Sequence, residues 1–217
     1  TGATGATGQA LMQLLLNNPS IAHIYLVHYR KTGFSHHQKV TEIIHQFDDL
    51  STLDIASDID CAYCCLGTTK KKAGSIEAFR KVDKDYIVNF GHWVAQHNIS
   101  QLHVISSASA NPNSFSSYLQ TKGETEQALG QLNIANLYLY QPSLLHGERD
   151  EFRLAERLAY LPLSCIAALP VAFCKKQKPI AINQLANAMY VKSISPTSNV
   201  ANTPQTKVIS SLEIQKY

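Results

Sequence analysis

Two hydrophobic periods alternate along the chain. Ala10, Leu11, Leu14 and Leu15 recur at helical spacing until Asn17-Asn18-Pro19 stops the run, which predicts a helix opening directly out of the residues before them. Short β-rich stretches follow at 21–27, more weakly at 39–44, and again at 60–66. Residues 75–97 predict one long helix, with Phe79, Val82, Tyr86, Phe90, Trp93 and His97 stepping by three or four. A strand at 102–106, a helix at 118–132 marked by Leu119, Ala128, Leu129 and Leu132, and a strand at 135–140 complete the regular part.

Strands alternating with helices of this length imply parallel pairing through right-handed crossovers, hence an α/β doubly wound parallel sheet. The regularity fades from Pro142 onward, where prolines stand at 162, 170, 179 and 196. This end reads as a small C-terminal substrate-binding region within a single domain spanning 1–217, with 146–180 as its irregular substrate-side segment.

Composition narrows the classes further. A chain of 217 residues with 45% hydrophobic and 16% charged positions is an ordinary globular sequence, which excludes disorder, collagen and coiled coil. The most apolar patch, 161–173, is interrupted by Pro162 and Pro170 and falls short of the ~20 residues a membrane helix needs. A net charge of +3, with lysines in short clusters at 70–72 and 175–178, gives no continuous basic stripe for nucleic acid. A small-molecule partner is expected instead. Five cysteines, three of them (Cys61, Cys64, Cys65) crowded into one apolar run, read as buried thiols in a reducing, cytoplasmic setting. No ligand pair with zinc spacing accompanies them, so no metal is expected.

The chemistry begins at the first residue. Gly2, Gly5 and Gly8, interleaved with Thr4, Ala6 and Thr7, make a G-x-x-G-x-x-G run that leads into the first helix, with a strand about a dozen residues later. Glycines let a backbone turn tightly against a diphosphate, and the helix N-terminus offers free N–H groups and a positive dipole end. In a doubly wound sheet the strand before such a loop is central, so roughly five to ten further apolar residues are expected ahead of Thr1.

Past the next strand come Arg30 and Lys31, where an acidic residue would favour NAD. An arginine fork suits a 2′-phosphate, which points to NADP(H) over NAD(H) unless the pair is simply solvated. Tyr118 and Lys122 are four residues apart on a predicted helix, so the ammonium stands near the phenol and favours its ionised form. Ser107, or its neighbour Ser106, ends the preceding strand, at the carboxyl edge where parallel sheets present catalytic groups.

The glycine run, Ser107, Tyr118 and Lys122 in this order resemble the short-chain dehydrogenase/reductase superfamily over nearly the whole chain. Cys64-Cys65-Leu66-Gly67-Thr68-Thr69, Lys72-Ala73-Gly74, Val82-Asp83-Lys84-Asp85-Tyr86 and Tyr118-Leu119-Gln120-Thr121-Lys122-Gly123-Glu124 are similar to its atypical Tat-interacting oxidoreductase subgroup. The resemblance implies a Rossmann fold and an NADP-dependent oxidoreductase of small carbonyls or alcohols. Tyr118 would be the acid/base, Ser107 would polarise the carbonyl, and Lys122 would hold the nicotinamide ribose. Leu66, Gly67 and Thr68 would line the adenosine side, and Gln141, Pro142, Ser143 and Leu145 would pass under the nicotinamide. Homodimerisation through the long helices is also implied. Gln141 departs from the arginine of relatives, the gap from Ser107 to Tyr118 is short, and the tetrad asparagine has only Asp83 or Asn89 as counterparts. An NADP-binding redox-sensing or scaffold protein is therefore the alternative. Nucleotide-sugar epimerisation would want more chain than the ~75 residues after Pro142.

Overall fold

Every strand pair is parallel in the computed structural model, which describes residues 1–55, 58–146, 178–195 and 203–217. Helix α1 (Ala6–Asn17) leads into β1 (Ile24–His28), which pairs with β2 (Val40–Ile44) from Ile24 opposite Val40 to His28 opposite Ile44. A second sheet runs β3 (Cys61–Cys64), β4 (Gln101–Ile105), β5 (Asn136–Gln141) and, outermost, a late strand at Gln205–Ser210. Thr1 stands between the two sheets: its Oγ1 donates to the Val27 carbonyl at 2.9 Å, and its own carbonyl accepts from Cys65 N–H at 3.0 Å.

Between β3 and β4 the chain forms α2 (Lys70–Ala73), α3 (Ile76–Arg80), a π-helical turn (Lys81–Asp85) and α4 (Tyr86–Gln96). The expected single helix is thus interrupted. Its inward face runs through Phe79, Asp83, Ile87 and Phe90, where the sequence pattern had put Val82 and Tyr86, because the wider turn shifts the inward face by one position. Helix α5 (Ser117–Gly130) joins β4 to β5.

The regularity that fades after Pro142 returns further on. Two short strands, β6 (Leu145–His146) and β7 (Ile180–Ala181), pair with each other, and α6 (Ile182–Ile194) follows. The outer strand β8 (Gln205–Ser210) and α7 (Ser211–Ile214) close the chain. The C-terminal part therefore supplies a strand and a covering helix to the fold itself, while most of 146–180 lies outside the described residues.

Helices cover both faces of the sheet, as double winding requires. On one, Phe90, Trp93 and Val94 of α4 and Leu129 of α5 pack onto Leu102, Val104, Leu137 and Leu139. On the other, Leu11 and Leu15 of α1 and Leu185, Ala186 and Met189 of α6 pack over Tyr138, Tyr140 and Ile209. Strands buried on both sides are largely apolar, with His103 of β4 as a buried polar exception, and truncating a buried leucine such as Leu102 or Leu129 to alanine costs about 2–5 kcal/mol. The winding brings the ends of β1, β3, β4 and β5 to one edge, where the candidate residues collect.

Candidate active site

The glycine run is built as a cradle. Gly2 takes φ +80, and a Cβ there would stand 2.4 Å from the Cys65 carbonyl carbon. Gly8 presses the start of α1 onto the loop so closely that a Cβ would come within 2.2 Å of the Gly2 oxygen. Gly5, by contrast, is exposed and caps α1 without a side-chain bond. Gln9 N–H bonds back to the Gly5 carbonyl at 2.8 Å, so the amides of the first helical turn, at Ala6, Thr7 and Gly8, point out of the helix end. Free amides, a positive dipole end and no side chain in the way fit a dinucleotide diphosphate. Thr4 is exposed beside them and Thr7 is buried.

The tip of β1 is where the sequence places the adenosine side. His28 is buried there, and desolvation pushes its imidazole down to about 4, so it is neutral near pH 7. Arg30 and Lys31 are exposed immediately beyond it, with the Arg30 guanidinium 5.4 Å from the centre of the Tyr29 ring. That contact stiffens a fork able to take a phosphate. Leu66, Gly67 and Thr68 follow the tip of β3, the next strand of this edge.

Tyr118 occupies the first turn of α5, its ring 5.8 Å from that of Phe79. One turn on, Lys122 is only 4% exposed. Its ammonium sits 2.8 Å from Asp83 Oδ1, and the other oxygen of that carboxylate accepts from Thr68 N–H at 2.7 Å. Burial opposes the Lys122 charge, but the attraction of Asp83, with a smaller contribution from Tyr118, outweighs it and the net direction is upward. Lys122 is thus a cation throughout the neutral range. Asn89, the other counterpart of the tetrad asparagine, donates its amide to the Phe47 carbonyl at 2.9 Å and to that of Asp48, outside this cluster.

Ser106 and Ser107 come directly after β4 and both are buried. The Ser106 hydroxyl donates to the Glu126 carboxylate of α5. Ser107 Oγ donates to the Ala108 carbonyl at 3.3 Å. The Gln141 amide donates to both Glu126 oxygens, at 2.9 and 3.0 Å, so its side chain is held against α5. Pro142 and Ser143 are buried and Leu145 half-buried just past β5, and the Pro142 carbonyl accepts from Ala108 N–H at 2.9 Å.

Burial pushes the Cys61 and Cys65 thiols up to about 12 and the Cys64 thiol upward as well, which suits packing and disfavours nucleophilic thiolates. Sequence reasoning missed Glu126, whose partners lie on two different strand ends, and undervalued Asp83. A carboxylate on an amphipathic helix gives no sign in the pattern that it turns inward.

A parallel sheet wound on both faces, a glycine cradle at the first helix and a Tyr-Lys pair at the same edge define a dinucleotide-binding Rossmann domain. Residues 1–88 match the family model of the semialdehyde dehydrogenase NAD-binding domain. Protein HTATIP2 of Rattus norvegicus is 28% identical over 211 residues, which cover 96% of this chain and 85% of that protein. The mitochondrial protein FMP52 of Candida albicans is 31% identical over 156 residues, covering 69% of this chain and 67% of that protein. Among solved structures, MoeE5 in complex with UDP-glucose and NAD has a TM-score of 0.67 at 14% identity, covering 96% of this chain and 74% of that one. The chain belongs to the atypical short-chain dehydrogenase/reductase family, in the group of HTATIP2 and FMP52. Its fold is that of an NAD(P)-binding oxidoreductase. No helix among the described residues is long and apolar enough to cross a membrane.

Proposed function

We propose that the chain is an NADP-dependent oxidoreductase acting on a small carbonyl or alcohol, with Tyr118 as its acid and base. The observation that carries the reading is the buried Lys122 ammonium, one helical turn from Tyr118 and held at the cofactor edge by Asp83. When bound, the dinucleotide supplies or accepts the hydride. Gly2, Gly5 and Gly8 with the first amides of α1 would hold its diphosphate, Arg30 and Lys31 its 2′-phosphate, and Lys122 its nicotinamide ribose.

In the direction of reduction the Tyr118 hydroxyl gives its proton to the carbonyl oxygen, and in oxidation the phenolate takes the proton of the alcohol. The Lys122 charge stabilises that phenolate, and Ser107 donates a hydrogen bond to the carbonyl oxygen. The free thiols at Cys61, Cys64 and Cys65 suit a reducing compartment.

The test is a panel of small aldehydes and ketones incubated with NADPH or NADH while cofactor oxidation is followed. Turnover with NADPH preferred is expected for at least one compound. Tight NADPH binding with no turnover of any of them would favour the redox-sensing or scaffold alternative.

A further inference from the structure

The π-helical turn at Lys81–Asp85 has a specific product: it turns a carboxylate into the middle of the site. Asp83 is 1% exposed, in a helical segment whose neighbours Lys81 and Asp85 face solvent. An extra residue in a helical turn costs hydrogen-bond geometry, and such turns cluster where a side chain must be aimed. The Asp83 backbone is fixed as well, since its carbonyl accepts from Thr125 Oγ1 of α5 at 3.0 Å. A Cβ on Gly67 would lie 3.6 Å from Oδ1, so the carboxylate fills the space between the loop after β3 and the catalytic helix.

A buried ion pair adds little net stability relative to apolar side chains of the same volume, because desolvation offsets the attraction. The Asp83–Lys122 pair therefore calls for a reason other than folding. Its two oxygens supply one: Oδ1 takes Lys122 and Oδ2 takes the amide of Thr68, so a single carboxylate joins the segment assigned to the adenosine side to the lysine assigned to the nicotinamide ribose.

We infer that Asp83 is a positioning residue that holds the Lys122 ammonium on the nicotinamide half of the cofactor and ties it to the Leu66–Thr68 loop. This rests on the reading of Lys122 as the ribose ligand. Asparagine at position 83 would still accept from Thr68 N–H, but it would face Lys122 without charge and leave a buried cation uncompensated. The groups that face Lys122 are Asp83 from the π turn, Tyr118 from its own helix and Cys64 from β3. Of these, Asp83 supplies the largest attraction that keeps Lys122 charged.

The experiment compares two probes on the whole chain: NADPH, and adenosine 2′,5′-bisphosphate, which lacks the nicotinamide half. Asp83→Asn is expected to weaken NADPH by about tenfold or more while leaving adenosine 2′,5′-bisphosphate within about twofold. Its NADPH affinity should also fall as the pH rises, where the wild type stays level, because the lysine then loses its charge sooner. Equal losses on both probes, or no loss of NADPH affinity, would overturn the inference and leave Asp83 a structural residue. If Asp83→Asn does not fold, Lys122→Met and the double variant carry the test, since the double has no uncompensated charge. NADPH should bind the double at least as well as Lys122→Met, which keeps an unpaired Asp83, and a further loss in the double would contradict action through Lys122. A wild type that binds neither probe would instead refute the cofactor reading beneath it.

Discussion

Gly123 of α5 lies so close to Pro112 in the loop after β4 that a Cβ on the glycine would stand 2.2 Å from the proline nitrogen. The contact is backbone against backbone, since the same Cβ would come 2.3 Å from the Asn111 carbonyl carbon, and Asn111 N–H donates to the Leu119 carbonyl at 3.1 Å. Helix α5 can therefore bring Tyr118 and Lys122 to the strand edge only with glycine at 123. Gly123→Ala should lower stability by about 1–3 kcal/mol, the usual range for overpacking, read by chemical denaturation. Because α5 must move away to admit the methyl group, NADPH affinity should fall with it. Unchanged stability would show that the loop yields freely.

Arg30 extends past β1 on the Tyr29 ring, and its assigned partner is a 2′-phosphate. Charge-assisted hydrogen bonds contribute about 1.5–3 kcal/mol, so Arg30→Ala should weaken NADPH by roughly tenfold to a hundredfold. NADH, which lacks that phosphate, should be little affected. Titration of the variant with both nucleotides decides the point, and equal losses would sink the NADP assignment.

His103 lies across the sheet from helix α5. Its ring stacks on Tyr138 at 4.4 Å, and its Nδ1 stands 2.9 Å from the Tyr140 hydroxyl. Burial pushes this imidazole down from its ordinary 6.5 to about 3. The unfolded chain thus binds a proton that the folded chain refuses, and stability falls as the pH drops from about 6.5 towards 3. The slope from this one group is about 1.4 kcal/mol per pH unit. Urea unfolding across that window should show a shallower decline for His103→Gln than for the wild type, and identical slopes would contradict the assignment.

Much of the candidate site was legible because its devices are local. The glycine run announces a turn and a helix start within eight residues, and Tyr118 and Lys122 announce a shared helical face through their spacing alone. The π turn was invisible for the opposite reason. Phe79, Val82, Tyr86 and Phe90 read as one uninterrupted stripe, and nothing in an apolar pattern says that Asp83 turns inward to meet a lysine on another helix. Glu126 escaped in the same way, since Ser106 and Gln141 reach it only through the fold. Strand β8 was missed because it is half-exposed and reads Gln-Thr-Lys-Val-Ile-Ser, with no apolar run. Helix α6 was missed because much of its buried stripe is alanine, which carries little hydrophobic signal.

The central claim is that Tyr118 moves the proton while other residues hold the cofactor. Its most direct test is Tyr118→Phe, assayed side by side for NADPH affinity and for reduction of whichever carbonyl compound the wild type accepts. Phenylalanine keeps the ring against Phe79 and removes only the hydroxyl. NADPH affinity should stay within about threefold of the wild type while turnover falls by at least ~100-fold, the range expected for losing a general acid. Turnover that survives the substitution would contradict the account.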